Sequence, residues 1–411
     1  MPHDPYKALY LHIPFCVKKC DYCDFTSFSI PRDHKEIDEY IEQLVIQIRR
    51  KAKEAELAHL ETVYIGGGTP SYIGQSRLSS LLYALSLSMR LEPDVECTME
   101  ANPESITPEL IRDVYALGVN RLSIGVQSFD DEVLKILGRA HDSSKADEAI
   151  RYALERFDNV SIDLMCGVPS QTLESFEHSV YHAIEAGVAH VSIYPLTIEK
   201  GTPFAKAVRR GKLPYPDDDV QASCMERAAE LLCKAGFRRY EVASYAKPGF
   251  ECRHNISYWT GKPYLGLGTG ATTMTQNAER RMREKDGYIA DDLDAAQMCA
   301  EDLMLGMRMS KGVSVGMVRE SSELLPDAPS VFMKLCRLGL VSLISPEHGI
   351  IAQAKSDTLG AMDADMVDAN GNPVDVAICA DNASDDDRFA PTQLGWLCGN
   401  ELYGRIFELA P

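Results

Sequence analysis

The sequence predicts an α/β fold built on a parallel sheet, followed by a smaller C-terminal domain. Over roughly the first 200 residues, short β-rich runs alternate with amphipathic stretches of helical period. Strand–helix units in series give a parallel sheet with right-handed crossovers. Beyond them the alternation loosens, and helical patterns near the C-terminus mark a second unit. The chain has 411 residues, enough for two or three domains.

The strand candidates are Ala8–Phe15, Thr62–Ile65, Val95–Glu100, Arg121–Val126, Val160–Met165 and His190–Tyr194. The helical stretches between them are Asp33–Ala55, Ser76–Met89, Thr107–Leu117, Asp130–Leu137 with Ser143–Phe157, and Thr172–Ala186. Thr107 and Pro108 offer an N-cap and a first-turn proline, and Gly118 and Gly187 offer stops. Pattern alone fits an open sheet or a curled one. After it come a helix over Asp217–Ala235, a strand-like Tyr240–Tyr245 and a Gly/aromatic-rich segment. We divide the chain into a core over 1–235, a connecting segment over 236–295 and a C-terminal domain over 296–411. Helices near Met298–Met309, Val331–Leu338 and Thr392–Leu409 suggest a helical or winged-helix-like unit. Inside it, Asp357–Arg388 carries nine aspartates and one basic residue, which reads as a solvated, partly flexible insertion. A calcium loop is the sharper alternative, but no EF-hand spacing with a terminal glutamate is present.

The formal net charge of −19 disfavours phosphate-backbone binding, so nucleic acid is not an expected partner. No run of about 18 apolar residues is found, and no membrane span is expected. The N-terminus lacks an apolar signal core, and a cytoplasmic location is expected. Nine of the twelve cysteines are scattered and read as small buried residues.

The other three are Cys16, Cys20 and Cys23, spaced C-x3-C-x2-C just after the first strand. Three thiolates on one short loop can hold three irons of a [4Fe–4S] cluster and leave the fourth iron open, whereas such clusters are otherwise closed by four cysteines. A zinc loop is the alternative. It would need a second Cys/His pair at a recognisable distance, and none is evident. After strand two comes Gly66-Gly67-Gly68-Thr69, whose bare backbone lets a ligand approach closely. Glu100 ends strand three. In barrel-like α/β folds, functional loops gather at these carboxyl ends of the strands.

The cysteine spacing, with Tyr10 before it and Tyr22 just ahead of the last cysteine, resembles the radical S-adenosylmethionine (SAM) superfamily. That resemblance implies a partial barrel of six βα units. It also implies a cluster whose open iron binds the amino and carboxylate groups of SAM and whose electron cleaves the sulfonium. By the same resemblance Gly67, Gly68 and Thr69 would meet the methionine amino group. Glu100, Gln127, Arg139 and Asp163 would meet the rest of the cofactor. The residue types suit these roles: a guanidinium binds a carboxylate bidentately, and an aspartate suits ribose hydroxyls or a sulfonium.

Further motifs narrow the resemblance. Gly125-Val-Gln127-Ser-Phe129, Asp163-Leu-Met-Cys-Gly167, Leu196-Thr-Ile-Glu199 and Tyr240-Glu241-Val resemble the oxygen-independent coproporphyrinogen III oxidase family, and most closely its haem-chaperone branch. The oxidase branch has a fourth cysteine where this chain has Phe25, and it carries a longer N-terminal extension. Here Cys252-Arg-His254-Asn255-Ile-Ser-Tyr258-Trp259 contains the H-N-x-x-Y-W motif that the resemblance associates with haem. It implies His254 as an iron ligand, with Cys252 as an alternative, and Tyr258 and Trp259 as flat surfaces for the macrocycle. Without the resemblance, His254 is a core histidine beside aromatic packing. One departure stands out: where relatives continue Gly-Ala-His-Ser, this chain reads Gly270-Ala271-Thr272-Thr273.

The expected function is therefore a haem chaperone that binds a [4Fe–4S] cluster, SAM and haem and passes haem to acceptor proteins. An acidic surface would suit a basic patch on such a partner. The alternatives are the oxidase itself, which decarboxylates two propionates, and another radical SAM tetrapyrrole enzyme such as an anaerobic haem-degrading methyltransferase.

Overall fold

A computed structural model of the chain describes residues 3–89, 94–355 and 364–410. Strands β1 (Ala8–Ile13), β2 (Thr62–Gly67), β3 (Glu96–Ala101), β4 (Arg121–Gln127), β5 (Val160–Cys166) and β6 (His190–Pro195) lie side by side in chain order, each parallel to the next. A doubly wound sheet reverses its order at a switch point. This sheet does not, so successive crossovers advance in one direction, as in a barrel. Among the described residues β1 and β6 do not pair with each other. β6 takes β7 (Ser244–Ala246) antiparallel, and β1 takes β8 (Tyr264–Leu267) parallel, so the barrel is partial.

The two faces of the six strands differ in kind, because side chains alternate along a strand. On β4, Leu122, Ile124 and Val126 join the main core, while Arg121, Ser123, Gly125 and Gln127 take the other face. On β3, Cys97, Met99 and Ala101 lie in that core, and Glu96, Thr98 and Glu100 alternate with them. On β5, Ile162, Leu164 and Cys166 do the same opposite Ser161, Asp163 and Met165. Helices cover the apolar face. In α1 (Lys35–Lys53), Ile37, Ile41, Leu44 and Ile48 are buried at the spacing of one helical stripe. The expected helix ends hold: the Thr107 hydroxyl accepts the Leu110 N–H at 3.2 Å, and Gly187 stops its helix with φ +85°. The other face is polar, which a packed barrel interior is not.

Residues 264–294 extend the sheet rather than merely connect domains. Beyond β8, strands β9 (Thr272–Gln276), β10 (Arg280–Lys285) and β11 (Tyr288–Asp294) form an antiparallel meander that the sequence pattern did not reveal. It is tied to the helix Ala295–Gly306 by ions. Arg281, 2% exposed, reaches Glu301 at 2.6 Å and Asp302 at 2.8 Å, and Arg283 reaches Glu301 at 2.9 Å. Shared bonds of this kind are what keep buried charges tolerable.

The C-terminal unit has its own core, which includes Leu303, Phe332, Leu335, Leu343, Phe389 and Leu402. Helices Val315–Ser321 and Ala328–Arg337 precede an antiparallel hairpin, Val341–Ser345 with Gly349–Ala354, in winged-helix-like succession. The acidic stretch needs correction. Its first part, 357–363, lies outside the described residues. The remainder is structured: Met366–Val367 is a strand, Val376–Asn382 is a helix, and Met366, Val376 and Ala383 enter the second core. Several aspartates act as local acceptors. Asp375 caps the helix through the Ala377 N–H, and Asp368 accepts the N–H groups of Asn370 and Asn372. Most of its described aspartates are exposed, as the composition suggested, while the apolar residues spaced between them give the stretch its place in the second core.

Candidate functional site

The carboxyl ends of β1 to β5 surround one cavity, and the three clustered cysteines face it. Cys16 lies in a two-residue strand, Phe15–Cys16, paired with Phe28–Ser29, so the intervening chain loops out. The loop is anchored from beside and below. Asp21 donates its N–H to Leu137 and accepts that of Phe204, at 3.3 and 2.9 Å. Tyr22 packs against the apolar group of Val133, Leu137 and Met165. None of the three thiols is in a disulfide, and burial pushes those of Cys16 and Cys23 up. Among the described residues no three Cys, His, Asp or Glu side chains converge as a single metal ion requires. A four-iron cluster makes no such demand, since each cysteine takes a different iron.

The glycines serve the loop before any ligand. A Cβ on Gly68 would stand 2.8 Å from the Phe15 carbonyl oxygen and 2.9 Å from Cys16 Sγ. One on Gly67, at φ +117°, would stand 2.7 Å from the His12 ring. The N–H groups of Gly67, Gly68 and Thr69 already donate to Glu100, Ile13 and Phe15. An incoming ammonium, itself a donor, would therefore use carbonyl oxygens.

Two carboxylates face the same space. Glu100 accepts from Tyr64 Oη at 2.8 Å and from the Gly67 N–H at 3.0 Å, and burial raises its pKa. Asp163 is pushed from its usual 3.8 up to about 7, first by burial and then by Glu100. A cationic ligand would relieve both. Arg139 stands across from them. Its Nη1 donates to Cys20 Sγ at 3.3 Å, and its Nη2 donates to Asn102 Oδ1 at 2.8 Å and to the Gly125 carbonyl at 2.6 Å. Its Nε is buried without a protein partner. Gln127 lines the cavity at φ +68°, a strained value for a non-glycine residue. An amino-acid-like ligand with an ammonium, a sulfonium and a carboxylate fits this donor set, and a thiol loop beside it fits a cluster.

Sequence reasoning missed Asn102, which links the two halves: its Nδ2 donates to Thr69 Oγ1 at 3.0 Å while its Oδ1 accepts from Arg139. The clue was period two, since Asn102 follows Glu100 by two residues, as Gly125 follows Ser123.

The haem-motif residues lie elsewhere. Tyr10 lines a neighbouring cavity together with Tyr258. His254 is 1% exposed and sits near the amino ends of the strands: its Nδ1 pairs with Thr62 Oγ1 at 2.8 Å and its Nε2 with Tyr258 Oη at 3.0 Å. Its ring stacks on Tyr64 at 4.9 Å, and burial, then Arg121, lowers its pKa to about 3. Both its ring nitrogens are therefore hydrogen-bonded within the protein. Cys252 is also fully buried, with Glu96 beside it at 3.6 Å. Trp259 lies under the Arg308 guanidinium, 5.1 Å from ring centre to Cζ.

Residues 10–181 match the radical SAM superfamily. The chain is 42% identical over 274 residues to the heme chaperone HemW of Mycobacterium tuberculosis strain H37Rv, covering 66% of this chain and 70% of the relative. It is 32% identical over 355 residues to the heme chaperone HemW of Bacillus subtilis, covering 82% and 92%. Among solved structures, coproporphyrinogen III oxidase (HemN) from Escherichia coli, a radical SAM enzyme, superposes with a TM-score of 0.72 over 98% of this chain and 90% of that one, at 19% identity.

Proposed function

We propose, from the premise that this chain belongs to the HemW family of the radical SAM superfamily, that it binds a [4Fe–4S] cluster, SAM and haem and delivers haem to acceptor proteins. The observation that carries the reading is a single cavity lined by the three thiols, Arg139 and the Glu100–Asp163 pair. Cys16, Cys20 and Cys23 would hold the cluster. When bound, it would supply an open iron and one electron to SAM. Arg139 would take the SAM carboxylate, and Glu100 and Asp163 would take its cationic groups. Gln127 and Thr69 would orient it, with Tyr22 as a side wall.

The haem reading draws on what the relatives' name says they carry. Oxidation of coproporphyrinogen III, the second reading, rests on the motif resemblance and on likeness of fold. Phe25 stands where the resemblance puts that enzyme's fourth cysteine, and it is 65% exposed at the cavity. We place the protein in the cytoplasm; among the described residues no helix is long and apolar enough to cross a membrane.

One anaerobic preparation, reconstituted with iron and sulfide, tests both readings. The expected result is haem binding and transfer to a haem-free acceptor, without conversion of coproporphyrinogen III in the presence of SAM and reductant. Conversion would establish the oxidase; absence of haem binding would refute the chaperone.

A further inference from the structure

The protein carries a formal charge of −19, and many of its surface cations are paired, among them Arg77 with Asp38, Arg227 with Glu177 and Arg280 with Asp292. One stretch departs from this. Between Glu199 and Asp217 the chain has five basic residues, Lys200, Lys206, Arg209, Arg210 and Lys212, and no acidic one. All five are exposed, and among the described residues none is in an ion pair or a side-chain hydrogen bond.

The stretch is fixed against the cysteine loop. At the start of its helix, Pro203–Arg209, the Phe204 N–H donates to the Asp21 carbonyl at 2.9 Å. Phe204, 1% exposed, shares one apolar group with Val133 and Leu137, and Tyr22, Val208 and Leu213 pack against that group. The helix thus turns its apolar side toward the residue that precedes Cys23 and leaves its cations in solvent. Lys18 and Lys19 continue the positive charge on the loop itself, at the rim of the cluster cavity. Asp21 and Asp24 are the acids of the loop, and Asp217–Asp219 end the basic stretch, where Asp217 caps the next helix.

We propose that this face docks an acidic one-electron carrier protein, which supplies the electron that the cluster passes to SAM. The proposal rests on the cluster reading above and adds the surface by which the electron arrives. In this step one electron leaves the reduced flavin or iron–sulfur centre of the carrier, which is oxidised. It enters the cluster held by Cys16, Cys20 and Cys23, which is reduced, and no bond forms or breaks. An acidic carrier is repelled by a surface of the same sign, so unpaired cations beside the loop select the face from which transfer is short. Val17 and Phe28, 44% and 52% exposed beside Cys16, offer the apolar contact that a charged rim surrounds in an interface. A membrane surface fits less well. A helix lying on lipid buries its apolar side there, and the apolar side of Pro203–Arg209 is already packed on the protein.

The test uses the full-length protein reconstituted with iron and sulfide, with a bacterial flavodoxin, an acidic flavin protein, as the carrier. Anaerobic calorimetry reads its affinity, and absorbance after rapid mixing reads how fast reduced flavodoxin reduces the cluster. Parent affinity should fall as salt rises. Reversing three charges together, Lys206→Glu, Arg209→Glu and Arg210→Glu, should weaken binding by about tenfold or more, the sum of three exposed ion pairs, and slow reduction by flavodoxin. Iron content, SAM affinity and reduction by dithionite should stay as in the parent. The neutral triple variant, with Gln at the same positions, should fall between the two. Reversal of Lys334 and Arg337, in the C-terminal domain, should change flavodoxin affinity by less than about twofold. Affinity and reduction rate within about twofold of the parent in both triple variants would overturn the proposal. So would an equal effect of the C-terminal reversal, which would make the attraction one of net charge. Triple variants that keep flavodoxin affinity but lose binding to vesicles of anionic phospholipid would assign the face to a membrane instead. A parent that holds a cluster but does not bind flavodoxin at low salt refutes the docking face alone, whereas a parent that holds no cluster refutes the proposed function.

Discussion

Lowering the pH from 8 to 6 should weaken SAM binding about tenfold, and Asp163 should be the reason. Its carboxyl is raised from 3.8 to about 7 by burial and by Glu100. A sulfonium or ammonium beside it favours the ionised form, so the binding-competent protein is the deprotonated fraction. That fraction is about nine-tenths at pH 8 and about one-tenth at pH 6, and apparent affinity scales with it. The same shift affects stability. A carboxyl whose folded pKa lies above its unfolded value stabilises the fold while protonated, below about pH 4, and that contribution is lost as pH rises through about 7. Its full size is at most about 4 kcal/mol. Asp163→Asn removes the titration, so it should raise the melting temperature at pH 8, leave it nearly unchanged at pH 4, and flatten the pH dependence of SAM binding. Anaerobic isothermal titration calorimetry at pH 6, 7 and 8 on reconstituted protein reads the effect. A parent whose affinity is constant over that range, or an Asn variant that keeps the slope, would show that Asp163 does not face the cation.

Arg139→Ala should weaken SAM binding by about 10- to 150-fold, the cost of one charge-assisted bond, while iron content stays near that of the parent; unchanged affinity by the same calorimetry would show that Arg139 serves another purpose. Replacing Cys16, Cys20 and Cys23 together with alanine should abolish bound iron and sulfide, and near-normal iron would sink the cluster assignment. His254→Ala should cost about 2–5 kcal/mol in urea unfolding, because it opens a cavity and leaves Thr62 Oγ1 and Tyr258 Oη without their partner. A cost below about 0.5 kcal/mol would mean that the ring is not a packed structural group.

The order of strands and helices, the cysteine loop, the glycine turn and the residues at strand ends were legible in the sequence because each is a local statement: a period, a cap, a spacing. Asn102, two residues beyond Glu100, was not read as a site residue, and the polar face of the barrel emerged only from the structure. What the chain could not state alone is which distant groups meet. Arg139 reaches Cys20 across 119 positions and Thr62 reaches His254 across 192, and both pairings depend on how strands close into a curved sheet. The same holds for the acidic stretch: its aspartates are mostly exposed, as the composition suggested, but that Met366 and Val376 fill a core depends on the tertiary fold. His254 is the sharpest case. Sequence placed an imidazole in a haem motif, and only the tertiary structure decided that both its nitrogens are occupied and that Tyr258 faces the cavity. Burial and partners are properties of the folded surroundings, not of the residue, and they set what a histidine can bind.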